Sequence, residues 1–156
     1  MNVLSLFSGI GGIDVAVKLV LPGAKTVAYV ERDKYCQVLL KARMNDGSLD
    51  TAPIIDDVRD ASVASIPDID IIIGGFPCQP FSFAGLRKEQ QDDRNLWPTF
   101  NELIRSVRPR YVFLENVPGI LTSRQHEAYI YTILKDLYQG GYDAEWGTIK
   151  ASDIGA

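Results

Sequence analysis

Cysteine and histidine are nearly absent: Cys36, Cys78 and His126 are the only ones in 156 residues. That count excludes a disulfide framework and any Cys/His cluster that would hold a metal such as zinc. Apolar runs are short, none reaching the roughly 18 residues of a membrane-crossing helix, so no membrane partner is expected. The opening Met1-Asn2-Val3-Leu4-Ser5-Leu6-Phe7 carries neither the basic region nor the cleavage pattern of a signal peptide. It is expected to form a first strand, in a reducing, cytoplasmic compartment. Positive charge is also scarce, with 16 Lys+Arg against 20 Asp+Glu for a net −4. A nucleic-acid binder ordinarily carries a basic patch, so any phosphate contacts are expected to be few and local, or supplied by another segment. What remains is ordinary for a globular chain, 46% hydrophobic and 23% charged, enough for one domain with one core.

The stretch around which the rest is organised is Ile71-Ile72-Ile73-Gly74-Gly75-Phe76-Pro77-Cys78-Gln79-Pro80-Phe81-Ser82. The apolar run reads as a buried strand, and two glycines then release it. Proline fixes its own φ, lacks the N–H a sheet ladder needs, and pushes its predecessor out of the helical region. Cys78 therefore belongs in a rigid, irregular loop past a strand's carboxyl end, the rim where open α/β sheets bind ligands. A free cysteine is more often a small buried hydrophobe, but a core filler needs no proline on either side.

Gly-Gly-Phe-Pro-Cys-Gln-Pro-Phe-Ser closely resembles the catalytic loop of the DNA cytosine-C5 methyltransferases, and the resemblance extends over essentially the whole chain. It implies an α/β, Rossmann-like, doubly wound fold with a mostly parallel sheet of about six or seven strands. It also implies S-adenosylmethionine as cofactor, S-adenosylhomocysteine as product, and no metal.

Residues 2–7 followed by Ser8-Gly9-Ile10-Gly11-Gly12 and a helical spacing from Ile13 to Leu21 read as strand, glycine turn and helix. The dinucleotide pattern G-x-G-x-x-G fails, because its third glycine falls on Asp14. Phe7-Ser8-Gly9-Ile10-Gly11-Gly12 instead resembles the first motif of the methyltransferase family. There the turn admits the methionine end of the cofactor and the aromatic ring packs on it; a plain core role is the alternative for Phe7. A second strand, Thr26 to Val30, ends at Glu31, about 20 positions past the turn; its spacing suits the ribose hydroxyls or a surface carboxylate equally, and the resemblance implies the ribose role. The family's Glu-Arg brings Arg32 into the same site. Asp33 is expected to cap a helix with Cys36, Leu39, Leu40 and Ala42 inward.

Pro53-Ile54-Ile55 reads as a third strand before Asp56-Asp57-Val58. The family carries an aspartate here for the adenine amino group, and Asp57-Val58 matches its Asp-Ile better than Asp56 does. Ile69 to Ile73 is the fourth strand; Gly75 and Pro77 beyond it are implied at the cofactor. Residues 76–95 show no periodicity, a length of loop that is usually functional. On it Gln79, Ser82, Arg87, Lys88 and Arg94 are implied as contacts to DNA, with solvated loop charges as the alternative for the basic ones.

Asn95 is expected to cap a helix from Leu96 to Val107, Leu96 lining the cofactor pocket. Tyr111 to Leu114 is a fifth strand, and the following Glu115-Asn116-Val117 resembles the family's Glu-Asn-Val. If this strand neighbours the Cys78 strand, about 5 Å away, both side chains reach one planar base. Ser123 to Gln139 reads as a helix with Ala128, Tyr131, Leu134 and Tyr138 on one face, and Tyr142 to Lys150 as a strand. His126 is expected at the surface.

The family chemistry assigns Cys78 as the nucleophile, Glu115 as the group that protonates or hydrogen-bonds the pyrimidine, and Asn116 as an aid to orientation. The base is flipped from double-stranded DNA. Family members continue past a segment like Asp153-Ile154-Gly155-Ala156 into a target-recognition domain and a returning helix. Residues 1–156 are thus expected to be the incomplete catalytic portion of a methyltransferase of restriction-modification type, bacterial or phage. The missing part would be a further segment or a second chain. The alternatives are an RNA (tRNA) cytosine methyltransferase, a non-catalytic cofactor- or partner-binding module or split-enzyme subunit, and, least favoured, a dehydrogenase.

Overall fold

The fold is that of a computed structural model, which describes residues 1–66, 68–77, 95–121 and 128–155. Five strands, β1 (Asn2–Leu6), β2 (Lys25–Val30), β3 (Ile54–Ile55), β4 (Ile71–Gly74) and β5 (Tyr111–Leu114), form one sheet in the order β3-β2-β1-β4-β5. Every pairing is parallel. Parallel neighbours need crossovers, and four helices supply them, α1 (Gly12–Val20), α2 (Lys34–Asn45), the single turn α3 (Ala61–Ala64) and α4 (Trp97–Val107), while α5 (Tyr129–Gln139) follows the last strand. The chain runs outward from β1 to β3, then returns to place β4 on the other side of β1. The strand ends between β1 and β4 are therefore a switch point, where such sheets open a crevice.

Alternation along each strand sorts the two faces. On one, Ile13, Val17 and Leu21 in and after α1 cover Val3, Ile71 and Ile73, and Leu40 of α2 packs with Tyr29 and Leu49. On the other, Phe100 and Ile104 of α4 and Ile133 and Leu137 of α5 cover Leu4, Leu6, Ala28 and Ile72. Phe100 is fully buried, a burial that contributes roughly 1.5–3 kcal/mol.

Four expectations are corrected. The described residues hold five strands, not six or seven, and no strand forms over Tyr142–Lys150. Residues 143–150 are exposed throughout; their alternation has no ladder to join, and Tyr142 instead anchors itself by donating its hydroxyl to the Pro109 carbonyl at 2.7 Å. The inward face of α5 is Tyr129, Ile130, Ile133 and Leu137, while Tyr131 and Tyr138 are exposed. Both stripes are apolar at helical spacing, and the core takes the aliphatic one. On α2 the buried residues are Gln37 and Leu40, with Ala42 exposed. Gln37 goes inward because its amide is satisfied there.

Candidate functional site

The carboxyl ends of the strands carry a cleft of about 470 Å³. Its walls follow the sheet order. Asp56, Asp57, Val58 and Arg59 come from the turn after β3, Val30, Glu31 and Arg32 from the end of β2, Phe7 from the end of β1, Gly75 and Pro77 from beyond β4, and Leu96 from the approach to α4.

Phe7 leaves β1 in the left-handed region, at φ 53, uncommon for a residue with a Cβ and worth a functional explanation. Its ring stacks on Phe100 at 5.9 Å. Ser8 ties the ends of β1 and β2 together, donating its N–H to the Val30 carbonyl at 3.1 Å and its hydroxyl to the Ser5 carbonyl at 3.0 Å. Gly9 donates its N–H to Glu31 Oε2 at 2.7 Å, and Asp33 donates its N–H to Glu31 Oε1 at 2.7 Å. The Glu31 carboxylate is thereby aimed, and each oxygen keeps lone-pair capacity for a ligand hydroxyl. Gly11 is buried, and a Cβ there would meet Leu49 Cδ1 at 2.6 Å; this glycine is required by packing as well as by its φ of +84. Gly12 is exposed and begins α1. Ser8, Gly9, Gly11 and Gly12 thus frame the turn beside the cleft, outside its lining.

The two adjacent aspartates are sorted by their partners. Asp56 accepts from Lys34 Nζ at 2.7 Å and from Gln37 Nε2 at 2.8 Å, bonds that hold its carboxyl below the usual range, Lys34 having the larger effect. Asp57 accepts from Arg59 through three donors, N and Nε at 2.9 Å onto Oδ1 and Nη2 at 2.7 Å onto Oδ2. Those bonds pull its carboxyl down to about 2. Gln37 also donates to the Glu31 carbonyl at 2.6 Å, so one buried amide links the turn after β3 to the end of β2.

At the other end, Phe76 is buried against Trp97 at 5.5 Å and Phe100 at 6.0 Å, fixing the chain as it leaves β4. Glu115 follows β5, which pairs with β4 through Gly74↔Leu114, and its N–H donates to the Gly74 carbonyl at 3.1 Å. A Cβ on Gly75 would lie 2.6 Å from Glu115 Oε2; the exposed Glu115 carboxylate sits over the glycine that leads toward Cys78. Asn116 donates Nδ2 to the Phe76 carbonyl at 3.0 Å, clamping the exit of β4 to the exit of β5.

A model of the C-5 cytosine-specific DNA methylase family matches residues 1–156. The chain belongs to that family. It is 35% identical over 155 residues to the Type II methyltransferase M.NlaX of Neisseria lactamica, covering 99% of this chain and 48% of that protein. It is 31% identical over 157 residues to the Type II methyltransferase M.Bsp6I of Bacillus sp. (strain RFL6), covering 99% and 48%. The chain thus spans about half the length of these relatives. Among solved structures, a mutant DNMT2 from Spodoptera frugiperda superposes with a TM-score of 0.67 at 22% identity, over 89% of this chain and 41% of that one. That likeness concerns the fold alone, a parallel α/β sheet with helices.

In this methylase chain the cleft collects Phe7, Glu31, Arg32, Asp57, Val58, Gly75, Pro77 and Leu96 from the residues singled out in the sequence. Cys78, Gln79, Ser82, Arg87, Lys88, Arg94 and His126 lie outside the described residues. Sequence reasoning missed Gln37 and Arg59: a polar residue in an apolar helical period and a lone arginine after an aspartate carry no signal until their partners are known. Among the described residues no cluster of metal-binding side chains occurs, and no helix is long and apolar enough to cross a membrane.

Proposed function

We propose that the chain is the cofactor-binding and catalytic part of an enzyme that methylates carbon 5 of cytosine in double-stranded DNA, with S-adenosylmethionine as donor. One observation carries the reading. Along the sheet, β3, β2, β1 and β4 present Asp57, Glu31, Phe7 with the glycine turn, and then the run toward Cys78. Adenine, ribose and methionine follow one another in the same order along the donor, and the reactive methyl sits on the sulfur that joins the ribose to the methionine chain. With strands about 5 Å apart, four of them span roughly 15 Å, the scale of a nucleoside joined to an amino acid.

The residues fit that donor. Glu31 has acceptor capacity for the ribose hydroxyls, Asp57 for the adenine amino group, and Val30, Val58, Phe7 and Leu96 supply apolar walls. When bound, the donor supplies an electrophilic methyl group on a sulfonium sulfur. The protein's task is to make cytosine carbon 5 nucleophilic. Cys78, as thiolate, adds its sulfur to carbon 6. Glu115 holds a proton at ring nitrogen 3 and accepts from the exocyclic amino group, lowering the cost of that addition. Carbon 5 then takes the methyl group, the donor sulfur keeping the bonding pair. A base removes the carbon 5 proton, and the electrons of that C–H bond restore the ring double bond as the carbon–sulfur bond breaks and thiolate leaves. Asn116, through the Phe76 carbonyl, positions the segment that leads to Cys78. The reaction needs the base outside the stack; the segment supplying sequence recognition is a further part of the polypeptide or a second chain.

DNA is favoured over RNA because the matching family model is that of the DNA methylases. The test is transfer of labelled methyl groups by the full gene product to duplex DNA and to transfer RNA. Label recovered as 5-methylcytosine from DNA supports the proposal. Label recovered only from RNA, or on another atom, overturns it.

A further inference from the structure

The Asp57–Arg59 pair is more specific than an ordinary surface ion pair. Two residues apart, they meet through three hydrogen bonds at 2.7–2.9 Å, and both line the cleft. The backbone N–H of Arg59 fixes the Asp57 side chain in a local turn, and the guanidinium fork then fixes the plane of the carboxylate. Oδ1 receives two donors and Oδ2 one, so Oδ2 keeps the larger share of its accepting capacity. Asp56 is drawn away toward α2 by Lys34 and Gln37, which leaves Asp57 as the less exposed of the two carboxylates, 34% against 68%.

We propose that Arg59 is a positioning residue for adenine recognition, holding Asp57 so that Oδ2 accepts a hydrogen bond from the 6-amino group. This rests on the assignment of Asp57 to the adenine end of the donor. A carboxylate held ionised and oriented accepts from an amino group but repels a carbonyl oxygen, so the pair selects a 6-amino over a 6-oxo purine. Arg59 supplies the orientation in advance, which spares the ligand the entropy of ordering a mobile side chain. A lysine supplies a point charge without the fork, and reproduces only part of the effect.

The test is equilibrium binding of S-adenosylhomocysteine and of its 6-oxo analogue, S-inosylhomocysteine, to the wild type and to Arg59→Ala, Arg59→Lys and Asp57→Asn. The wild type is expected to prefer the adenosyl ligand by about tenfold to a hundredfold, the value of a charge-assisted hydrogen bond. Arg59→Ala is expected to lose about tenfold of that preference, with Arg59→Lys in between and thermal unfolding of the free proteins unchanged, since Arg59 is exposed. A role confined to stability leaves the ratio of the two affinities where it was. If Asp57→Asn removes the preference and Arg59→Ala leaves it equal or sharper, the role of Arg59 is overturned and that of Asp57 survives. If Asp57→Asn leaves the preference intact, the adenine assignment itself is wrong.

Discussion

Glu31 accepts the Gly9 N–H at 2.7 Å across 22 residues of sequence, joining the end of β2 to the glycine turn after β1. The bond places a carboxylate and the turn's backbone on the same side of the cleft, so the group assigned to the ribose also holds the turn assigned to the methionine end. Glu31→Ala removes the acceptor for two backbone N–H groups and for the ligand at once. S-adenosylhomocysteine is expected to bind at least about a hundredfold more weakly, from the loss of charge-assisted hydrogen bonds worth about 1.5–3 kcal/mol each. Unchanged affinity in a calorimetric titration would exclude Glu31 from the cofactor site.

Gly74 and Gly75 are adjacent but guard different things. A Cβ on Gly74 runs into the backbone carbonyl of Leu6 in the neighbouring strand, whereas one on Gly75 crowds the far end of the Glu115 side chain and meets its backbone oxygen and Cβ at ordinary contact distances. Gly74→Ala is therefore expected to destabilise the fold by about 1–3 kcal/mol, as overpacking does, seen as an earlier denaturant midpoint. Gly75→Ala is expected to keep the wild-type midpoint and lose up to about a hundredfold in methyl transfer by displacing the Glu115 carboxylate. Equal stability losses in the two variants would contradict this division.

Asp14, in the first turn of α1, is buried and accepts from the Ser5 hydroxyl at 2.9 Å and the Thr26 hydroxyl at 3.0 Å. Burial pushes its carboxyl above the ordinary 3.8, while the two hydroxyls oppose the shift. The folded state therefore binds this proton more tightly than the unfolded one. Below 3.8 both states are protonated; as the pH rises through the raised value, stability falls and then levels. Asp14→Asn carries no such proton and keeps a partner for each hydroxyl. Its melting temperature relative to wild type is expected to rise from about pH 4 toward pH 7, whereas Asp14→Leu, which strands the hydroxyls, is expected to cost about 1–3 kcal/mol. A wild-type–Asn difference that does not vary with pH would contradict a raised Asp14.

The frame of the molecule was legible because strand, glycine turn and helix alternate with clear punctuation up to Leu114. A glycine turn follows β1 and Gly75 follows β4, Asp33 caps α2 by accepting the Cys36 N–H at 2.9 Å, and the parallel order follows from the intervening helices. Legibility failed where burial is decided by partners. Gln37 is inward because Glu31 and Asp56 await its amide, which no periodicity reports. The face of α5 is ambiguous in the sequence because two apolar stripes compete, and the stretch after Tyr142 alternates like a strand yet meets no ladder. In the site, motif positions at strand ends were readable one by one. That Arg59 closes on Asp57, or that Asn116 reaches the Phe76 carbonyl, depends on geometry between turns.

The central claim is that Cys78 bonds to cytosine carbon 6 during transfer. It is tested most directly with duplex DNA in which 5-fluorocytosine replaces cytosine, because a base cannot remove fluorine as it removes the carbon 5 proton. The full gene product, incubated with this DNA and S-adenosylmethionine, is expected to yield a covalent complex that survives denaturation. Mass spectrometry is expected to place the pyrimidine on the Cys78 peptide, and Cys78→Ala to give no complex while still binding S-adenosylhomocysteine. Formation of 5-methylcytosine by Cys78→Ala, or an adduct mapped to another residue, would contradict the mechanism.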